Sequence, residues 1–171
     1  IQILSGMFLT MYYVPDVENA WKSVYYLQNE VAFGEIVRGM HHWGASLVIV
    51  MMFLHTLRVF FTGSYKKPRE LNWIVGVGIF GVMMGLGFTG YLLPWDMKAL
   101  FATKVGIEIA ASVPFIGEYI KILLAGDSTI LGAQTLTRFF AIHVFFLPAA
   151  LFALLAAHFI MIRRQGISGP L

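Results

Sequence analysis

Five histidines carry the chemical interest of this sequence, and all five lie inside two apolar runs. The run from Gly39 to Phe61 holds His41, His42 and His55. In a helix, positions 14 apart fall roughly 40° short of four full turns and about 21 Å apart along the axis. His41 and His55 therefore share one face at two depths. His42 stands about 140° from His55 and falls off that face. The run from Arg138 to Ile162 answers with His143 and His158.

A lone histidine in an apolar helix is as well explained by a hydrogen bond to a carbonyl or by a proton path. Four in two matched pairs point to metal. Zinc takes three or four protein ligands, and di-iron carboxylate sites need acids that these spans lack. Haem brings four equatorial nitrogens and leaves two axial positions, which two imidazoles fill. The reading is two bis-histidine b-type haems, one pairing His41 with His143 and the other His55 with His158. With both axial positions taken, the chemistry is electron transfer. His42 is expected to make an ordinary hydrogen bond.

The elements that position these side chains follow from composition. The 171 residues are 58% hydrophobic and 12% charged, against about 25% charged in soluble domains, so the chain is an integral membrane protein. A formal charge of +3 gives no nucleic-acid signal. The absence of cysteine excludes disulfides and cysteine-ligated clusters within these residues.

The expected fold is an all-α transmembrane four-helix bundle in a single domain. Helix A covers 1–14 and is read as the second half of a span that begins before Ile1. Helix B covers 36–62, helix C 71–93 and helix D 136–162. A short interfacial helix is expected in the polar, aromatic A–B connection. Two amphipathic helices, 97–111 and 115–125, lie along the surface between C and D, in a segment whose charges include Asp127. Lys66, Lys67 and Arg69 in the short B–C loop, with Arg163 and Arg164 after helix D, place those ends in the cytoplasm. His41 and His143 are then outer, and His55 and His158 inner.

Helix C carries Gly76 and Gly90 at the same interval of 14. Small residues admit a close neighbour, whether a cofactor or another helix. Arg38, Arg58 and Arg138 lie near the ligands in sequence and suit haem propionates, although topological anchoring explains each one singly.

The motifs GEIVRGMHHWGAS, LHTLRV, GSYKKPREL, FTGYLLPWD, LTRFFAIHVFFLP and AAHFIMIRRQGISGPL together resemble cytochrome b of the Rieske–cytochrome b quinol oxidoreductases. The likeness spans nearly the whole chain. The ending QGISGPL and the interval of 15 between His143 and His158 resemble the short, cytochrome b6-type subunit. Pro148, between those ligands, is expected to let helix D absorb the additional residue.

The resemblance implies a low-potential outer haem on His41 and His143 and a high-potential inner haem on His55 and His158. Gly6, Gly76 and Gly90 match the glycines that approach the rings. Phe88, Tyr91, Trp95 and Ala102 match the quinol-oxidation pocket, and Arg163 and Arg164 the vicinity of an inner quinone site. Glu35 and Ala102 depart from residues common in longer relatives. A third haem, attached through a cysteine before residue 1, is left open.

The implied activity is quinol oxidation at the outer side, with one electron passed to a Rieske iron–sulfur protein and the other across both haems to quinone. Protons are released outside and taken up inside. Implied partners are the Rieske protein, a cytochrome c or f-type subunit, a second cytochrome b fragment like subunit IV, membrane lipid and a second copy of the complex. The implied location is the bacterial cytoplasmic membrane, with the thylakoid as alternative. One rival reading is a di-haem anchor of a quinone-linked dehydrogenase; a transporter using His and Arg as a proton or anion path is another.

Overall fold

In hydrocarbon every backbone N–H and C=O must be satisfied within its own segment, so the uncharged runs fold as helices. The computed structural model describes residues 1–126 and 131–168. Asp127 and the terminal Gly169-Pro170-Leu171 lie outside the described residues. The helices are α1 (Gln2–Thr10), α2 (Ala20–Asn29), α3 (Gly34–Phe61), α4 (Glu70–Leu92), α5 (Met97–Ala111), α6 (Gly117–Ala125), α7 (Ala133–Ala141) and α8 (Leu147–Gln165). A π-helical segment, Ile142–Phe146, joins α7 to α8. Among the described residues three helical stretches are long and apolar enough to cross a membrane: α3, α4 and the continuous α7–π–α8 unit.

Local chemistry explains where these elements start and stop. The segment expected as helix A over 1–14 is helical only to Thr10. Beyond it Met11 and Tyr12 donate to the carbonyls of Phe8 and Leu9, a tighter i to i+3 turn ahead of Pro15. The second span starts at Gly34, earlier than the expected 36, because Gly34 closes onto the end of α2: a Cβ there would stand 1.9 Å from the Leu27 carbonyl oxygen.

The third span, expected over 71–93, ends at Leu92, two residues before Pro94, which has no N–H to continue it. Asp96 caps α5, its carboxylate accepting from Ala99 N–H at 2.8 Å. The second surface helix, expected from 115, begins at Gly117, since Phe115 sits at φ 68.

Helix D differs most from expectation. It runs from Ala133 to Gln165, beyond the expected 136–162, and is not uniformly α-helical. Within it Leu147 N–H donates to the Ile142 carbonyl, an i to i+5 bond. The additional residue between His143 and His158 is taken up by this π segment directly ahead of Pro148. A π turn absorbs one residue, so the interval of 15 acts as 14. His143 and His158 thereby recover the offset of roughly 40° that His41 and His55 have in a regular helix.

α3 packs on α1, α2 and α4, and α4 packs along α8. Tyr13 closes one end of the bundle: its hydroxyl donates to the Leu93 carbonyl at 2.6 Å and its ring stacks on Phe140. The best-packed core lies there too, where Leu92, Ile107, Ala125 and Phe139 meet beneath α5 and α6. At the opposite end, Arg69 donates to the carbonyls of Gly166 and Ile167. Ser64 and Ser168 share a hydrogen bond of 2.8 Å, so the basic loop and the tail after α8 lie side by side. The most apolar stretch of α3 buries none of its residues. Its surface is left for lipid, other subunits and whatever the histidines hold.

Candidate functional site

α3 and the α7–π–α8 unit bring His41 and His143 together, with ring centroids 6.3 Å apart and planes at 75°. Two imidazoles bound to one metal from opposite sides have nitrogens about 2 Å from it. With each ring centre about 1.1 Å beyond its nitrogen, the expected separation is about 6.2 Å. The observed separation is close to that value. Among the described residues no three His, Cys, Asp or Glu side chains gather into a metal site. A macrocycle that supplies its own equatorial nitrogens is therefore the group these residues suit.

Two hydroxyls lie beside the Nδ1 atoms of this pair. Ser5 Oγ donates to the Ile1 carbonyl at 2.9 Å and also lies 2.9 Å from His41 Nδ1. Thr89 Oγ1 donates to the Gly85 carbonyl at 2.8 Å and lies 3.1 Å from His143 Nδ1. A hydroxyl has one hydrogen, and the carbonyl engages it in each case. With its hydrogen engaged by the carbonyl, each oxygen is placed to accept from an Nδ1–H, the tautomer that leaves Nε2 free.

His55 and His158 form the second level. His55 stands on α3 and His158 on α8. His158 Nδ1 is buried without a hydrogen-bond partner. His42 is exposed beside Trp43 and apart from both pairs.

The glycines touch the imidazoles themselves. A Cβ on Gly90 would meet His143 Cε1 at 2.6 Å, one on Gly6 would meet His41 Cε1 at 3.2 Å, and one on Gly76 would meet His158 Cε1 at 3.5 Å. The arginines are partly engaged by protein. Arg38 donates to Gln28 Oε1, tying α2 to α3. Arg138 donates to the carbonyls of Ile122 and Leu123 at 2.6 and 2.8 Å, capping the end of α6. Arg58, Arg163 and Arg164 are exposed near the inner ends of their helices.

Of the four residues matched to a quinol pocket, Phe88, Tyr91 and Ala102 line one cavity of about 280 Å³ with Ile49, Met84 and Thr103. Trp95 packs into the adjoining core. Gly106 is needed behind this cavity, since a Cβ there would overlap Phe88 Cε2 at 2.4 Å. Sequence reasoning missed Gly106, Thr103, Ser5 and Thr89. The last two stand directly before Gly6 and Gly90, which was the available signal.

Comparison with known proteins agrees with this geometry. The family model for cytochrome b/b6/petB matches residues 1–166. The chain is 85% identical to the menaquinol:cytochrome c reductase cytochrome b subunit of Geobacillus thermodenitrificans, over the whole chain and 76% of that protein. It is 48% identical to cytochrome b6 of Heliobacterium modesticaldum, over the whole chain and 80% of that protein. Among solved structures, a chain of a hyperthermophilic respiratory Complex III superposes with a TM-score of 0.90 at 34% identity, covering 99% of this chain and 45% of that one. The chain belongs to the cytochrome b/b6/petB family of haem-binding membrane proteins, in its short, b6-type form.

Proposed function

We propose that this chain is the electron-transfer subunit of a quinol oxidoreductase, holding two bis-histidine b-type haems at two depths in a bacterial membrane. The observation that carries this reading is the 6.3 Å separation of His41 and His143, with both Nδ1 atoms held so that Nε2 is free. His55 and His158 would hold the second group at the inner level. When bound, haem supplies reversible one-electron storage. The imidazoles of His41, His143, His55 and His158 would hold the groups, and Gly6, Gly76 and Gly90 would leave room beside them. Arg38, Arg58 and Arg138 would face propionates.

Phe88, Tyr91, Ala102 and Thr103 would receive the quinol ring in the outer cavity, with Trp95 buttressing its wall. Arg163 and Arg164 would attract quinone at the inner end. The activity printed for the Geobacillus relative supports menaquinol as the substrate and a cytochrome c as the acceptor of the complex. The same reading makes a Rieske protein, a cytochrome c or f-type subunit, a subunit IV-like fragment and a second copy of the complex its partners.

The test is Ala102→Trp in the intact complex, which fills the outer cavity. Quinol-dependent reduction of cytochrome c should fall more than tenfold while both b-haem bands remain. Unchanged turnover would overturn the pocket assignment, and co-purification with a flavin or molybdenum subunit would favour the dehydrogenase-anchor reading.

A further inference from the structure

The two levels differ in one repeated feature. His41, His143 and His158 each lie against a glycine: Gly6, Gly90 and Gly76. The residue directly before the glycine is not the same. It is Ser5 and Thr89 at the outer level and Val75 at the inner level. Ser5 and Thr89 are buried at 6% and 3% exposure, so water does not replace their hydroxyls. They accept hydrogen bonds from both outer Nδ1 atoms, whereas His158 Nδ1 has no partner.

Such an acceptor makes an imidazole a stronger donor through Nε2. The hydroxyl is itself polarised by donating to a helix carbonyl, which strengthens the acceptor. Stronger donation favours the oxidised metal and lowers its reduction potential. We infer that Ser5 and Thr89 are positioning residues that hold the outer haem at low potential, and that Val75 in the equivalent place leaves the inner haem at higher potential. The hydroxyls thereby set the downhill direction of the transmembrane electron step. This inference rests on the bis-histidine reading above.

The test is potentiometry of the two b-haem bands in the purified complex, with Thr89→Val, Thr89→Ser, Ser5→Ala and Val75→Thr. An outer-shell partner is worth about tenfold, which for one electron is about 59 mV. Thr89→Val and Ser5→Ala should each raise the outer potential by that order and leave the inner one in place. Thr89→Ser should restore the wild-type value, and Val75→Thr should lower the inner potential by giving His158 Nδ1 an acceptor.

Unmoved potentials with both bands intact would overturn the inference while leaving the haem assignment standing. Should Thr89→Val lose its outer band, Ser5→Ala and Val75→Thr decide: shifts in the stated directions support a tuning role, and unmoved potentials reduce these residues to packing. A wild-type complex without two b-type bands would refute the functional reading itself, and this inference with it.

Discussion

Replacing Gly90 by alanine would put a methyl carbon 2.6 Å from His143 Cε1, 3.1 Å from its Nδ1 and 3.2 Å from its Nε2. Ordinary carbon contacts begin at about 3.5 Å, so the ring must retreat by about 0.9 Å. A metal–nitrogen bond tolerates about 0.2 Å. Alanine is also the better helix former by about 1 kcal/mol, so a global loss of folding is not the expected phenotype; the defect is local to the outer pair. The same reasoning grades the other two positions. Gly6→Ala needs a retreat of about 0.3 Å from the 3.2 Å contact, and Gly76→Ala, at 3.5 Å, needs almost none. The assay is haem content per chain and the reduced-minus-oxidised spectrum of purified membranes. Gly90→Ala should lose most of the outer band and keep the inner one, Gly6→Ala should keep a shifted outer band, and Gly76→Ala should keep both. Loss of the inner band in Gly76→Ala with an intact outer band in Gly90→Ala would refute the steric account.

Other consequences are separable from this one. Gly106→Ala should displace the Phe88 ring and impair quinol oxidation several-fold with both haem bands retained, measured as steady-state turnover. Asp96→Ala removes the cap of α5 and should lower stability by about 1 kcal/mol, read as a lower melting temperature of the detergent-solubilised complex. Lys121 and Glu108 pair at 3.0 Å between α5 and α6, and the Glu108 carboxylate holds the Lys121 ammonium above the usual lysine range. A raised lysine contributes fully below its ordinary value and loses that contribution only as pH rises past the folded one. Lys121→Gln should therefore leave the pH dependence of melting unchanged around neutral pH and alter it in the alkaline range.

Much of the electron path was legible in the sequence because it depends on counting. The interval between His41 and His55 needs only helix geometry, and Gly76 and Gly90 repeat it on α4. The second histidine interval, 15, pointed to a local irregularity near Pro148. What counting could not say was that a π segment ahead of the proline, rather than the proline itself, takes up the residue. That choice depends on which carbonyl Leu147 N–H finds.

The hydroxyl partners were hidden for a related reason. A serine or threonine in an apolar helix ordinarily bonds back to its own turn, as Ser5 and Thr89 do. Only packing discloses the second bond to histidine. The arginines show the opposite limit: nearness in sequence to a ligand histidine matched Arg138 to a propionate, yet its guanidinium also closes the carbonyl end of α6.

The central claim is that His41 with His143, and His55 with His158, hold two separate haems. Its most direct test is the reduced-minus-oxidised spectrum, at controlled potential, of complexes carrying His41→Leu or His55→Leu. The account predicts that His41→Leu removes only the low-potential b band and His55→Leu only the high-potential one. Retention of both bands in either variant, or loss of the opposite band, would contradict it.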